Sequence, residues 1–186
     1  ASLKRFTLVI GFITISAAVS LLSPSLTAAS ITNNEIATYS AQYSANYNGL
    51  AIKAHHQLRQ LEDGSYIEIL NAKSILGKIK ESAKFIIDDH QKILPYQYNY
   101  KRSLVGISRV ESQVFDWPKK QLKYTKSDKI QVVALEPGAL DIVTHKLQLR
   151  HDLQEGKTIL SYPVMARDKR KQYDYEVVAS EVLNTE

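Results

Sequence analysis

The stretch Tyr39-Ser40-Ala41-Gln42-Tyr43-Ser44-Ala45-Asn46-Tyr47-Asn48-Gly49-Leu50-Ala51-Ile52-Lys53-Ala54-His55-His56-Gln57-Leu58 decides how this chain folds. Up to Tyr47, tyrosine and alanine alternate with serine, glutamine and asparagine, the two-residue period of a strand with one buried face. Asn48-Gly49 supplies the two positive φ angles of a type I′ turn, whose twist suits paired strands. A two-residue turn fixes register, so Tyr47 is expected opposite Leu50, Ala45 opposite Ile52, Tyr43 opposite Ala54, Ala41 opposite His56 and Tyr39 opposite Leu58. All these pairs but one are apolar.

Working outward, Asp63-Gly64 reads as a second turn of the same kind, which places Ile69 opposite Leu58 and Asn71 opposite His56. His56 and Asn71 then meet on an apolar face, either as a hydrogen-bonded pair or as a polar point within a ligand cavity. A further strand runs from about Lys78 to Ile87. Next comes Ile93-Leu94-Pro95-Tyr96-Gln97-Tyr98-Asn99-Tyr100, basic residues at Lys101 and Arg102, and a run into Phe115-Asp116-Trp117-Pro118. Alternation predicts that Tyr96, Tyr98 and Tyr100 share a face and, with Phe115 and Trp117, build an aromatic wall.

Two short strands are expected from Gln121 to Lys126 and from Lys129 to Leu135, ended by Glu136-Pro137-Gly138. Leu140 to Leu153 is the one helix candidate, with Leu140, Val143 and Leu147 on one stripe and Ile142, Leu149 and Leu153 on another. Gly156 ends it. Two strands follow, Lys157 to Ala166 and a long one carrying Tyr173, Tyr175, Val177, Ala179 and Leu183. Arg167-Asp168-Lys169-Arg170-Lys171 joins them as a charged tip, in which Lys169, Arg170 and Lys171 are candidates for contact with an anion or a partner. Many strands, short turns and no β-α alternation predict a mainly β fold: a curled antiparallel sheet or incomplete β-barrel with one helix.

The 186 residues, 44% hydrophobic and 23% charged, have the composition of a globular protein. Lys4 and Arg5, the uncharged run from Phe6 to Leu22, Pro24 and the small residues up to Ala29 read as a secretory signal peptide cleaved near Ala29. Residues 30–186 are then a single exported domain, expected in the periplasm. Residues 1–29 hold two basic and no acidic residues, so their loss takes the net charge from +5 to +3. That balance allows peripheral contact with an acidic envelope surface and is no nucleic-acid signature. The chain has no cysteine, so disulfides cannot hold it.

Motifs for familiar chemistries are missing. The glycines are scattered singly and form neither GxGxxG nor GxxxxGK[ST], so no nucleotide loop or other cofactor is expected. Adjacent His55 and His56 face opposite sides of a strand, and His145 and His151 diverge on a helix, so no metal site is predicted. No GxSxG elbow presents a serine, and no catalytic residue is assigned. Asp88-Asp89 reads as a turn. Asp116 and Asp141 remain as carboxylates for an unfamiliar hydrolase, though Asp116 can equally bond a turn backbone. Binding is the leading reading: tyrosine offers an apolar ring with a polar tip, and an unclosed sheet lined with such rings suits an acyl chain or similar molecule. The other is an envelope module that contacts proteins.

Several motifs recur together in one family. Tyr43 and Tyr47 run into Gly49, Pro95 and Tyr98 form Pro-x-x-Tyr, and Phe115-Asp116-Trp117 follows. Asp141 then opens a helix closing in Leu147, Leu149 and Arg150, and Tyr173 and Tyr175 lead to Glu181. In this order they resemble the exported bacterial proteins catalogued as domain of unknown function 3108. The resemblance implies a Gram-negative periplasmic protein with no activity to transfer. Its curled sheet is expected to be similar to that of lipoprotein carriers. Relatives continue into further strands beyond the glutamate, so the chain is expected to be short at its C-terminus.

Overall fold

The computed structural model describes residues 36–179. The signal-like segment 1–29, Glu181 and Leu183 lie outside them. Eight strands follow one another as a meander: β1 (Tyr39–Tyr47), β2 (Leu50–Gln60), β3 (Tyr66–Ser74), β4 (Gly77–Ile87), β5 (Ile93–Leu104), β6 (Ile107–Asp116), β7 (Gln121–Lys126) and β8 (Lys129–Ala134). Each pairs antiparallel with its neighbours in sequence, and the sheet stays open between β1 and β8. After the sheet come helix α1 (Thr144–Gln154) and a hairpin of β9 (Ile159–Ala166) and β10 (Lys169–Glu176).

The first hairpin has the expected register from Tyr39↔Leu58 to Tyr47↔Leu50, with Asn48 and Gly49 at φ 50° and 77°. The second differs by one residue: Leu58 pairs with Glu68, His56 with Leu70, and Asn71 with His55. Leu61 N–H donates to Ser65 O, so three residues form the loop, with Gly64 alone in the left-handed region at φ 79°. A one-residue slip exchanges faces. Asn71 therefore leaves the face of His56, and Glu68 and Leu70 enter it.

These registers arrange the inner face in rows. One runs Tyr39, Leu58, Glu68, Ala83, Tyr98, Gln113, Tyr124, and the next Ala41, His56, Leu70, Glu81, Tyr100, Glu111. A third runs Tyr43, Ala54, Ala72, Ile79, Arg102, Arg109, closer to the turns that join β3 to β4 and β5 to β6. Leu58 of the first row and, on that row's other side, Tyr66, Phe85 and Ile93 pack with Leu140, Leu147, Leu149, Leu160, Tyr162 and Val164. Phe115 and Leu122 pack with Leu135, Ala139 and Met165. Helix and hairpin thus cover one half of the face. A helix of 11 residues spans about 16 Å, less than the about 33–40 Å reached by strands of 10 to 12 residues.

Residues 140–143, expected as the first helical turn, do something else. Leu140 bridges in parallel to Val164, donating from N to Pro163 O (2.9 Å) and accepting at O from Met165 N (2.7 Å). The helix is capped by Asp141, whose Oδ1 accepts from the N–H groups of Val143 (2.7 Å) and Thr144 (2.8 Å) while its own N–H donates to Thr144 Oγ1 (3.0 Å). Gln148 then fixes the helix to the sheet by accepting from Ile93 N (2.9 Å).

Candidate functional site

The aromatic wall forms only in part, and mostly as core. Tyr98 and Phe115 are buried; Trp117 is half-buried, lies 6.1 Å from the Phe115 ring and donates from Nε1 to Pro95 O at 2.7 Å. Tyr96 does not join them. A bulge sets Phe85 opposite Pro95 but Lys84 opposite Gln97, so Tyr96 is the extra residue, 38% exposed. Parity therefore switches between Pro95 and Tyr98, which simple alternation could not register. Tyr100 is half-buried beside Ala83, Tyr98 and Val143.

What the rows bring together instead is a polar cluster at the border between covered and uncovered halves. Glu68 is 6% exposed; its Oε1 accepts from Tyr39 Oη (3.0 Å) and is hydrogen-bonded to His56 Nε2. Burial and the adjacent Glu68 carboxylate push the Tyr39 hydroxyl up from its ordinary value. Arg150 lies over the Tyr39 ring, 5.3 Å from its centre. On the adjacent strand β4, Glu81 Oε1 accepts from Tyr98 Oη at 2.6 Å, and burial followed by that bond likewise raises the Tyr98 hydroxyl. His56, Glu68, Leu70, Glu81, Val143 and Lys146 enclose a cavity of about 70 Å³ between them. Glu68 Oε2 is buried with no hydrogen-bond partner among the described residues. A carboxylate oxygen so placed calls for a donor, and the cavity has room for a water molecule or a small polar group.

Asp141 belongs to the same surroundings. Its carboxyl is pushed up to about 6 from 3.8, by complete burial first, partly offset by the N–H groups of Thr144 and Val143, with the Glu68 charge adding to the rise. A folded-state value above the unfolded one means that protonation favours folding. The benefit is complete below about pH 3.8 and is lost as pH rises through about 6. Asp141→Asn keeps the Oδ1 cap and removes the charge. It is expected to raise stability by about 1–3 kcal/mol at pH 7.5 and to match the parent at pH 4, as read by urea unfolding at both values.

The other expected residues lie elsewhere. Lys169, Arg170 and Lys171 are exposed on β10, just past the Arg167-Asp168 turn, and Arg170 Nε pairs with Glu136 Oε2 at 2.7 Å. Asp116 accepts from Lys119 N (3.0 Å) and Nζ (2.8 Å), and Asp88 from His90 N and Lys92 N, so both carboxylates hold turns. His55 bonds Ser40 Oγ while His56 bonds Glu68, so the two imidazoles do diverge. His145 is buried against Tyr173 and Tyr175, and burial, then Lys146, lowers it to about 4.

Glu68, Glu81 and Glu111 were not anticipated. The signal was nonetheless in the sequence: Glu81 interrupts the apolar phase Ile79, Ala83, Phe85, and Glu111 holds the phase of Gln113 and Phe115. Glu111 sits between Arg109, which it hydrogen-bonds, and Arg167 at 3.5 Å.

An open eight-stranded antiparallel meander, half covered by a helix and a hairpin, with a carboxylate-lined cavity where the cover ends, defines a class of β protein with an accessible inner face. The chain belongs to the family described as protein of unknown function DUF3108, whose profile matches residues 42–186. No curated protein and no solved structure matches it.

Proposed function

We propose that this is a non-catalytic periplasmic protein that binds an amphipathic cell-envelope molecule, a lipid or other acyl-chain compound, on the uncovered half of its inner face. The observation that carries the reading is the order of side chains there. Ala54, Leu70, Ala72 and Ile79 offer an apolar strip, and Ile79 is 37% exposed although it shares a face with the core. Where the strip meets the cover stand Glu68, Glu81 and Lys146. The apolar part of the ligand lies along the strip, and a hydroxyl or amine in its head group donates to the free Glu68 Oε2. In this arrangement Tyr98, Phe115 and Trp117 support the site from within, and the ligand touches Tyr100.

The test is mass spectrometry of organic extracts from protein purified from its native envelope fraction, beside Ile79→Glu prepared identically. One amphipathic species near stoichiometric amount, absent from a variant with an unchanged circular dichroism spectrum, is the expected result. A clean extract from folded parent protein overturns the proposal.

A second reading rests on strand edges. Among the described residues β8 pairs only with β7, and β10 only with β9, so each offers a row of backbone groups to which a partner protein can add a strand.

A further inference from the structure

The β3–β4 and β5–β6 turns lie at the same end of the sheet and touch. Val105 N–H donates to Leu76 O at 3.0 Å, and a Cβ on Gly77 would sit 2.1 Å from Ser103 O, an approach that only glycine permits. The joined tips are aliphatic and project into solvent: Ile75 is 89% exposed, Val105 73% and Ile107 70%, with Leu76 and Leu104 above 40%. Scattered exposed aliphatics are ordinary; a contiguous group on two adjoining turns is not.

Two further observations concern the same place. Val105 and Gly106, at φ 46° and 80°, form a type I′ turn, and a β-branched residue in the left-handed region is strained. The equivalent position of the first hairpin holds the asparagine that the turn prefers, Asn48 at φ 50°. Valine stands at the second tip against local preference, which points to use of its side chain. Behind the tips, on the outer face, lysine stands opposite lysine in three cross-strand pairs: Lys53↔Lys73, Lys73↔Lys78 and Lys80↔Lys101. Like charges directly opposed destabilise a sheet. All five lysines are exposed and outside any ion pair among the described residues, and neither 73–80 nor 101–110 contains an acidic residue.

We propose that these paired tips are a membrane-docking edge, which inserts Ile75, Leu76 and Val105 into an anionic phospholipid bilayer while the lysine rows meet its headgroups. Lys73 and Lys78 each lie two residues back from a tip residue, about 7 Å along the strand, the spacing of headgroup from acyl boundary. Protein interfaces are poor in lysine and anchored by aromatic side chains and arginine, whereas lysine beside anionic lipid is favourable and aliphatic tips dissolve in acyl chains. No helix among the described residues is long and apolar enough to cross a membrane. The proposal stands on tips and lysines alone and holds whether or not the inner face carries a ligand.

The cysteine-free chain permits a local test. Val105→Cys, and Glu62→Cys in the turn at the opposite end of the sheet, each carry one environment-sensitive nitrobenzoxadiazole label on the full chain. With vesicles of phosphatidylcholine and phosphatidylglycerol, emission at position 105 is expected to rise and to be quenched by brominated acyl chains, while position 62 stays unchanged. Pure phosphatidylcholine gives no such response. Lys73→Glu with Lys78→Glu weakens the association at least about tenfold. Val105→Asn relieves the strained turn, so it keeps or raises the melting temperature while weakening vesicle binding about tenfold. Equal responses at 105 and 62, equal binding to neutral vesicles, or a well-folded Val105→Asn that binds as the parent does would overturn the proposal.

Discussion

Asp152→Ala lowers the unfolding free energy by about 3–5 kcal/mol, the loss typical of removing one partner from a buried charged cluster. Asp152 is 3% exposed and joins three segments. Its Oδ1 accepts from Gln148 Nε2 (3.1 Å) on its own helix and from Lys157 Nζ (2.6 Å) beyond the helix end, and its Oδ2 accepts from Tyr162 Oη (2.7 Å) on β9. Alanine strands the Tyr162 hydroxyl and the Gln148 amide, both donors whose shared acceptor has gone. The carboxyl also sets a pH dependence. Burial pushes it up, but the bonds from Lys157, Tyr162 and Gln148 outweigh burial and hold it below 3.8. A depressed folded-state value contributes stability above the unfolded value and loses it as pH falls through the folded one. Asp152 thus weakens the fold in acid where Asp141 strengthens it. Urea unfolding between pH 3 and 7.5 separates them: Asp152→Ala flattens the acid limb, and a loss under about 1 kcal/mol at pH 7.5 would rule out the cluster as a weld between helix and hairpin.

The second large effect is Phe85→Ala, expected to cost about 3–5 kcal/mol. Phe85 is fully buried, stacks on Tyr66 with ring centres 5.6 Å apart, and lies in the cluster shared by sheet, helix and β9. Helix and hairpin meet the sheet there from one side only, and the strands around Phe85 are held by neighbours on both edges, so collapse onto the vacancy is limited. Calorimetry and chemical unfolding measure the loss. Addition of benzene to the variant is expected to recover part of it by filling a dry cavity, whereas a loss below about 2 kcal/mol with no benzene response would mean that the cover simply settles inward.

How much was legible in the sequence is best seen from these neighbourhoods. Asn48-Gly49 specified a turn and through it a register, because both residues accept positive φ and the flanking alternation agreed. Asp63-Gly64 is chemically similar, yet only Gly64 takes positive φ, and the longer loop moved Glu68 to the inside. Loop length is settled by the fit of β2 to β3 along their whole length, which a dipeptide does not record. The mainly β architecture and its helix were readable from period and turn spacing. The bulge at Tyr96 depends on the partner strand β4, and the packing of Trp117 on Pro95 O depends on how far β5 and β6 run together. The carboxylates of the cavity were visible as breaks in apolar phase, but their convergence required registers across several strands.

Order of assembly follows from the meander. Every pairing in the large sheet joins strands adjacent in sequence, so each hairpin can close as soon as its second strand is available, without waiting for distant chain. The residues that cover the core, Leu140 to Tyr175, come after all eight strands. A chain grown from its N-terminal side therefore passes through a stage with all eight strands and a bare apolar face, on which β1 and β8 are unpaired edges among the described residues. That intermediate is the sticky one. Its lifetime is set by how quickly α1 and the β9–β10 hairpin fold back, and a holding chaperone would find its target in the face built by Leu58, Tyr66, Phe85 and Phe115 before the cover arrives.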